Sequence, residues 1–298
     1  MDDLPLHAAF STNGRLPHLA DLISAPRERR HIDLMILSDV HLGTRSCKAE
    51  QLDAYLSRVR PREVVLNGDI LDLRELHKGF WPEAHTRVVQ RILAFANEGI
   101  PVSYVTGNHD EVLRRFSFFQ TGAVQLVDGI ERTLGGKRTW IVHGDAIEGA
   151  MQMPRWLRRI GCLTYHALRG LERRANMVRS RVGMQPTVLV AQVKRMKGAL
   201  AHISRYEEAC ARVAASRGFE RIITGHIHFP NRREITCGDA RIDYLNSGDW
   251  VDSMSALEFD AGDWSVMRIG QPRAADTAPI ERESFAGLLD PRTEEAVA

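Results

Sequence analysis

The sequence predicts an α/β fold interrupted by one inserted helical segment, and three observations lead there. Short apolar runs, each ending in polar residues, recur at 32–37, 64–66, 102–105, 140–142 and 222–223. Runs of that length suit strands buried on both faces. Helix-like stretches at 50–60 and 86–97 separate the first three runs, and strand–helix–strand alternation argues for an α/β domain. Between residues 151 and 217 the alternation gives way to helical periodicity.

In chain order, residues 1–30 show no clear period and read as an N-terminal extension. Residues 31–150 and 218–270 form the expected core, 151–217 a basic amphipathic helical cap inserted into it, and 271–298 a flexible tail rich in Ala, Pro and charge. From Arg232 the pattern becomes strands with short turns, at 234–237, 241–245, 256–259 and 265–269. Gly238-Asp239 and Gly262-Asp263 mark the turns, which predicts an antiparallel second sheet or layer. In the cap, Pro154 stands at a helix start. On a helical wheel Trp156, Leu157, Ile160, Leu163, Ala167, Leu168 and Leu171 fall in one arc, opposite Arg155, Arg158, Arg159, Arg169 and Arg173. A second helical stretch is expected over 187–215.

Charge sharpens this division. The 298 residues carry 40 Lys and Arg against 38 Asp and Glu, a net of +2. Residues 151–205 alone hold twelve Arg or Lys against Glu172, a local net of +11. One segment is built for an anionic partner and the rest is not. No apolar run reaches membrane-spanning length, and the start, Met1-Asp2-Asp3-Leu4-Pro5, does not read as a signal peptide. The expectation is a cytoplasmic protein with peripheral contact on the inner face of the cytoplasmic membrane, and the sequence points to no particular obligate protein partner. Cys47, Cys162, Cys210 and Cys237 share no paired spacing and read as reduced thiols.

The polar clusters that close the apolar runs carry the chemistry. Ligand sites of α/β sheets gather at the carboxyl ends of strands, so five clusters should converge. They supply Asp39, His41, Asp69, Asn108, His143, His226 and His228, all oxygen or imidazole donors. In Asp39-Val40-His41 and His226-Ile227-His228 the donors sit two apart, which on extended backbone turns both the same way. Such a set suits two divalent ions, and the lack of thiolates argues against a structural zinc cage. Two ions about 3.5–4 Å apart can clamp a phosphoryl group and turn a bridging water into hydroxide.

Asp39-Val40-His41, Gly68-Asp69, Gly107-Asn108-His109-Asp110, His143-Gly144-Asp145 and Gly225-His226-Ile227-His228 resemble the calcineurin-like metallophosphoesterases in type, order and spacing. The resemblance covers about residues 32–260. It implies a β-sandwich flanked by helices (α/β, or α+β in some schemes), with the cap inserted. It also implies that Asp39, His41, Asp69 and His228 hold one ion, and that Asp69, Asn108, His143 and His226 hold the other. Asp69 would bridge as a catalytic ligand, and His109 would serve the transferred phosphoryl group as charge stabiliser or proton donor. Two Mn²⁺ are expected, with Fe, Zn or Mg as alternatives.

Within that superfamily the chain looks most like the UDP-2,3-diacylglucosamine hydrolases of lipid A biosynthesis, through Ser38–Gly43, Gly68–Asp72, the basic insertion and Asn246-Ser247-Gly248-Asp249-Trp250. Better-known members often carry Arg where this chain has His109. The resemblance implies an amphiphilic nucleotide-lipid substrate whose pyrophosphate is cleaved to UMP and 2,3-diacylglucosamine 1-phosphate. Trp156, Ile160 and Leu163 would receive acyl chains, with Arg158 and Arg159 at the phosphates. The alternatives are a phosphodiesterase acting on nucleotides or nucleic acid, and a basic nucleic-acid- or membrane-binding module with a vestigial metal site. Phe116, Phe118 and Phe119 are expected in the core rather than lining an apolar slot. Arg74, Lys78, Trp81 and His85 are candidates to reach a substrate from the neighbouring loop.

Overall fold

The computed structural model describes residues 29–151, 171, 174–179, 181 and 197–269. Its first strands are β1 (Arg30–Ile32), β2 (Leu34–Leu37), β3 (Val59–Pro61), β4 (Val64–Asn67) and β5 (Val102–Val105). Next come β6 (Gln120–Thr121), β7 (Val124–Val127), β8 (Ile130–Leu134) and β9 (Lys137–Ile141). The last five are β10 (Arg221–Thr224), β11 (Asn231–Cys237), β12 (Ala240–Asn246), β13 (Ser255–Asp260) and β14 (Asp263–Arg268). The labelled helices are α1 (Ala49–Leu56), α2 (Glu83–Asn97), α3 (Asp145–Ala150) and α4 (Lys197–Ser216).

Two sheets face each other. One runs β14-β13-β2-β4-β5-β7-β6, the other β11-β12-β10-β9-β8. Strand β2 shows how the apolar runs are used. Leu34 and Ile36 point between the sheets, where they meet Ile141, Ile223 and Leu245 of the other sheet. Met35 and Leu37 point outward under α1 and α2, against Leu52, Leu56, Val88 and Phe95. The period of two along a strand produces this division. Strand β10 repeats it, with Ile223 inside and Ile222 outside beneath Tyr206, Cys210 and Ala214 of α4. The result is a helix–sheet–sheet–helix sandwich of mixed sheets, the α/β class expected.

Four expectations are corrected. The run 32–37 breaks at Asp33, whose carboxylate accepts from the Ala261 amide and pairs with Arg62. Helix α1 stops at Leu56 rather than at residue 60, because Val59–Pro61 pairs in parallel with β1 and Pro61 disfavours helix at the residue before it. The C-terminal strands do not make one sheet. The β11–β12 hairpin extends the second sheet through β10, while β13–β14 joins the first through β2. Finally, the expected cap segment 151–217 ends in a helix that buries Ile203, Tyr206, Cys210 and Ala214. Those side chains are core, packed on the second sheet. Among the described residues no helix is long and apolar enough to cross a membrane.

Candidate metal and phosphoesterase site

The parallel strands β2, β4 and β5 of one sheet and β9 and β10 of the other end at the same edge. Backbone links bind the loops that follow them: Asp39 N donates to Gly68 O at 3.1 Å, His41 N to Asp69 O at 2.9 Å, and Gly225 N to His143 O at 3.0 Å. All five clusters therefore meet. Their donors fall into three overlapping groups, Asp39–His41–His228, His41–Asp69–His109 and Asp69–His143–His226. Within each group the ligand atoms lie within 4.8 Å of one another.

How the paired donors converge differs from expectation. Asp39, His41, Asp69, His226 and His228 all have left-handed backbone, with φ between 51° and 69°. They sit in loops past the strand ends, not on extended chain. Non-glycine residues rarely adopt this region, and its strain concentrates at functional sites. Gly68 is needed for a second reason, since its φ is 81° and a Cβ there would stand 2.4 Å from His143 Nδ1.

Asp69 occupies the centre. Its Oδ2 lies 3.3 Å from His143 Nε2 and 3.9 Å from His41 Nε2, while Oδ1 accepts the His109 amide at 2.7 Å. Asp39 Oδ1 lies 3.2 Å from His228 Nε2, and its Oδ2 accepts the His226 amide at 2.9 Å. Each ring is oriented from behind. His41 Nδ1 faces Asp72 Oδ2 at 3.2 Å, His143 Nδ1 faces the Asn67 carbonyl at 2.9 Å, and His228 Nδ1 faces Asp249 Oδ2 at 3.5 Å. Acceptors there place the proton on Nδ1 and leave the Nε2 lone pair facing the centre. For His226 the order is reversed, because Nε2 meets Glu148 Oε2 at 2.7 Å. His109 Nδ1 shares Asp72 Oδ2 at 2.9 Å.

These residues fit a metal centre. Asp39 Oδ1, Asn108 Oδ1 and His143 Nε2 are buried without a hydrogen-bond partner, which native proteins rarely tolerate. His41 Nε2 and His228 Nε2 face each other at 3.3 Å, an arrangement that a cation between them relieves.

Electrostatics follow from the same crowding. Burial opposes charge on His143, but Asp69 and Asp39 outweigh it and raise its pKa to about 10. Burial likewise opposes charge on His228, and Asp39 and Asp249 raise it to about 10. Burial would raise Asp39 and Asp69, yet the neighbouring histidines hold both carboxyls below their ordinary range. His109 is raised, because the Asp72 hydrogen bond and the Asp69 charge exceed the cost of burial. The metal-free site thus holds protons where ions would bind. Their contribution to stability is full below about pH 6.5, the ordinary histidine value, and is lost as pH rises through about 10. Mn²⁺ affinity should accordingly climb from pH 7 to 9, by about tenfold per unit for each proton displaced. Calorimetry in buffers of different ionisation enthalpy checks this, and a pH-independent affinity with no proton release contradicts it.

Other expected residues divide. Arg74 approaches the site, with Nη2 donating to Asn108 O at 2.5 Å. Lys78 pairs with Glu75 at 2.7 Å, and Trp81 donates to Thr86 Oγ1 at 3.0 Å. His85 is buried and accepts the Gly43 amide through Nδ1 at 3.0 Å, so it holds a loop rather than reaching outward. Phe116, Phe118 and Phe119 are not core: they are 59%, 85% and 59% exposed, on the turn that follows the His109 loop. Trp156, Arg158, Arg159, Ile160 and Leu163 lie outside the described residues. From the same arc Leu171 is described, and it is exposed.

Sequence reasoning did not assign Asp72, Glu148 and Asp249. The sequence quotes Asp72 and Asp249 within motifs, but only folding shows that each carboxylate backs a histidine. Asp249 Oδ1 accepts the amides of Val251, Asp252 and Ser253, which fixes its other oxygen toward His228.

Residues 32–230 match the calcineurin-like phosphoesterase family. The chain belongs to that family. It is a metal-dependent hydrolase, and the converging donors are its candidate metal ligands. A UDP-2,3-diacylglucosamine hydrolase of Porphyromonas gingivalis is 30% identical over 115 residues, which are 36% of this chain and 44% of that protein. One from Neisseria meningitidis is 27% identical over 250 residues, 77% of this chain and 95% of that protein. A solved archaeal phosphodiesterase aligns over 79% of this chain and 99% of its own at 12% identity, with a TM-score of 0.37.

Proposed function

We propose that this phosphoesterase cleaves the pyrophosphate of a UDP-diacylglucosamine-like lipid, releasing UMP and a diacylglucosamine 1-phosphate in lipid A biosynthesis. The observation that carries the reading is the set of overlapping donor groups built from Asp39, His41, Asp69, His143, His226 and His228, with Asn108 Oδ1 buried and without a hydrogen-bond partner. It disfavours a vestigial site and hence a pure binding module. The relatives that share the family are named for this hydrolysis, and the exposed Phe116, Phe118 and Phe119 set apolar surface beside the His109 loop.

In this reading Asp39, His41, Asp69 and His228 hold one ion, and Asp69, Asn108, His143 and His226 the other, with Mn²⁺ as the expected metal. Bound there, the ions polarise the phosphoryl oxygens and lower the pKa of a coordinated water. The protein's own part is positional and protonic. Asp72 and Asp249 hold His41 and His228 in the ligating tautomer, and Asn67 O does the same for His143. In this reading His109, whose pKa the Asp72 hydrogen bond raises against burial, neutralises the leaving oxygen and hands it a proton. The net +11 of residues 151–205 supplies charge for the pyrophosphate and for an anionic membrane surface. The cap arc receives the acyl chains, each buried methylene contributing about 0.8 kcal/mol. We assign the protein on this basis to the cytoplasmic side of the membrane.

The test is a hydrolysis screen with Mn²⁺ that compares a UDP-diacyl sugar, an aryl phosphodiester and single-stranded DNA. The lipid should be the preferred substrate, with UMP as product. Replacing Trp156 and Ile160 by polar residues should depress lipid hydrolysis far more than aryl ester hydrolysis. Equal loss on both in a folded variant returns the arc to core packing, and no turnover of the lipid by wild type refutes the assignment while leaving the phosphoesterase.

A further inference from the structure

Three of the four candidate ligand histidines are oriented from inside the two-sheet core or its adjoining loops. His226 is different. Its Nε2 donates to Glu148 Oε2 at 2.7 Å, and the other oxygen of the same carboxylate, Oε1, accepts from His202 Nε2 at 3.2 Å. Glu148 stands in α3, one turn past Gly144, and His202 stands in α4. A single side chain therefore joins the helix that leads out of the core to the helix that leads back in.

The seat of α4 is built around that contact. Tyr206 lies four residues after His202, on the same face of the helix. Its hydroxyl presses on Gly144, where a Cβ would come within 1.9 Å of it, and Gly144 itself has a φ of 107°. The Tyr206 ring also lies 6.0 Å from that of His226. Ile203 and Glu207, on the neighbouring positions, are buried as well. His202, Tyr206, Glu148 and His226 thus form one contiguous set, with the Asp69–His143–His226 donor group at one end and α4 at the other.

We propose that Glu148 is a positioning residue for His226, clamped by His202, so that the seating of α4 and occupancy of the His226 metal position support each other. The inference rests on the dinuclear reading above. A carboxylate behind a ligating imidazole fixes both its tautomer and its ring orientation, and losing such a partner typically weakens metal binding about 10–100-fold. Here the carboxylate is itself steered from α4. Moving that helix away from α3 would free Glu148 and let the His226 ring turn, and an ion on His226 Nδ1 would hold the set together from the other end. Reciprocity between the two is a thermodynamic necessity once they are coupled.

The experiment titrates metal-free full-length protein with Mn²⁺ alone, by calorimetry and elemental analysis, for wild type, Glu148→Ala, Glu148→Gln and His202→Ala. Hydrogen exchange of α4 amides is followed with and without Mn²⁺. Wild type should take up two ions and gain protection around residues 202–207. Glu148→Ala should keep one ion at wild-type affinity and bind the other about 10–100-fold more weakly. Glu148→Gln, which keeps an acceptor for His226, should recover most of that loss. In His202→Ala the Mn²⁺-induced protection of α4 should vanish. Two ions at unchanged affinity in Glu148→Ala overturn the clamp and leave the dinuclear reading standing. Equal weakening of both ions, without rescue by glutamine, also overturns it as a general loss of structure. Fewer than two ions in wild type overturn both.

Discussion

Asp69→Ala will lose both ions, not one. Asp69 belongs to two of the three donor groups, with Oδ2 3.3 Å from His143 and 3.9 Å from His41. Without it two cations would face each other with no shared anion, and their repulsion in a buried site is severe. Removing a residue that merely backs a ligand lowers affinity about 10–100-fold, so losing a shared ligand should cost more than about 100-fold at each position. The metal-free protein will change too. The charge of Asp69 helps raise His143 to about 10, so the imidazole should titrate at lower pH in the variant. Elemental analysis should find close to two ions in wild type and almost none in Asp69→Ala, with hydrolysis at background. His41→Ala or His143→Ala should each retain one. Full metal content in Asp69→Ala would refute the bridging role.

The second large effect falls on turnover and leaves the metals in place. His109→Ala should lower kcat by about 10²–10⁴, the usual range for a positioned acid–base group, with metal content unchanged. Asp72→Asn makes the companion case. The Asp72 hydrogen bond is the leading cause that raises His109 against burial, so its loss should lower that pKa. A proton donor works only while protonated, and activity is therefore lost as pH rises through its pKa. The alkaline limb of kcat against pH should move to lower pH in Asp72→Asn, measured at saturating Mn²⁺ because Asp72 also orients His41. Near wild-type turnover in His109→Ala would leave the residue no part in the chemistry.

Much of this was legible in the sequence, for reasons particular residues make plain. The apolar runs announced strands buried on both faces because Leu34 and Ile36 serve one core while Met35 and Leu37 serve another. The seven candidate donors stand out in the sequence because each follows such a run. What carried no sequence signal is the manner of their convergence. Left-handed backbone at Asp39, His41, Asp69, His226 and His228 is imposed by contacts between loops that lie far apart in sequence. The carboxylates behind the rings were hidden for the same reason: Glu148 is 78 residues from His226, and Asp72 is 31 from His41. The division of the C-terminal hairpins between sheets was unreadable because hairpin periodicity reports its own partner strand and not the sheet it joins. The exposure of Phe116, Phe118 and Phe119 runs against their hydrophobicity, and composition alone does not signal it.

The central claim is that Asp69 lies between two metal ions held by the ends of two facing sheets. Anomalous diffraction from Mn²⁺-loaded crystals tests it most directly. The account predicts two manganese peaks that both contact Asp69, one also bound by Asp39, His41 and His228, the other by Asn108, His143 and His226. A single peak, or two peaks that share no Asp69 oxygen, would contradict it.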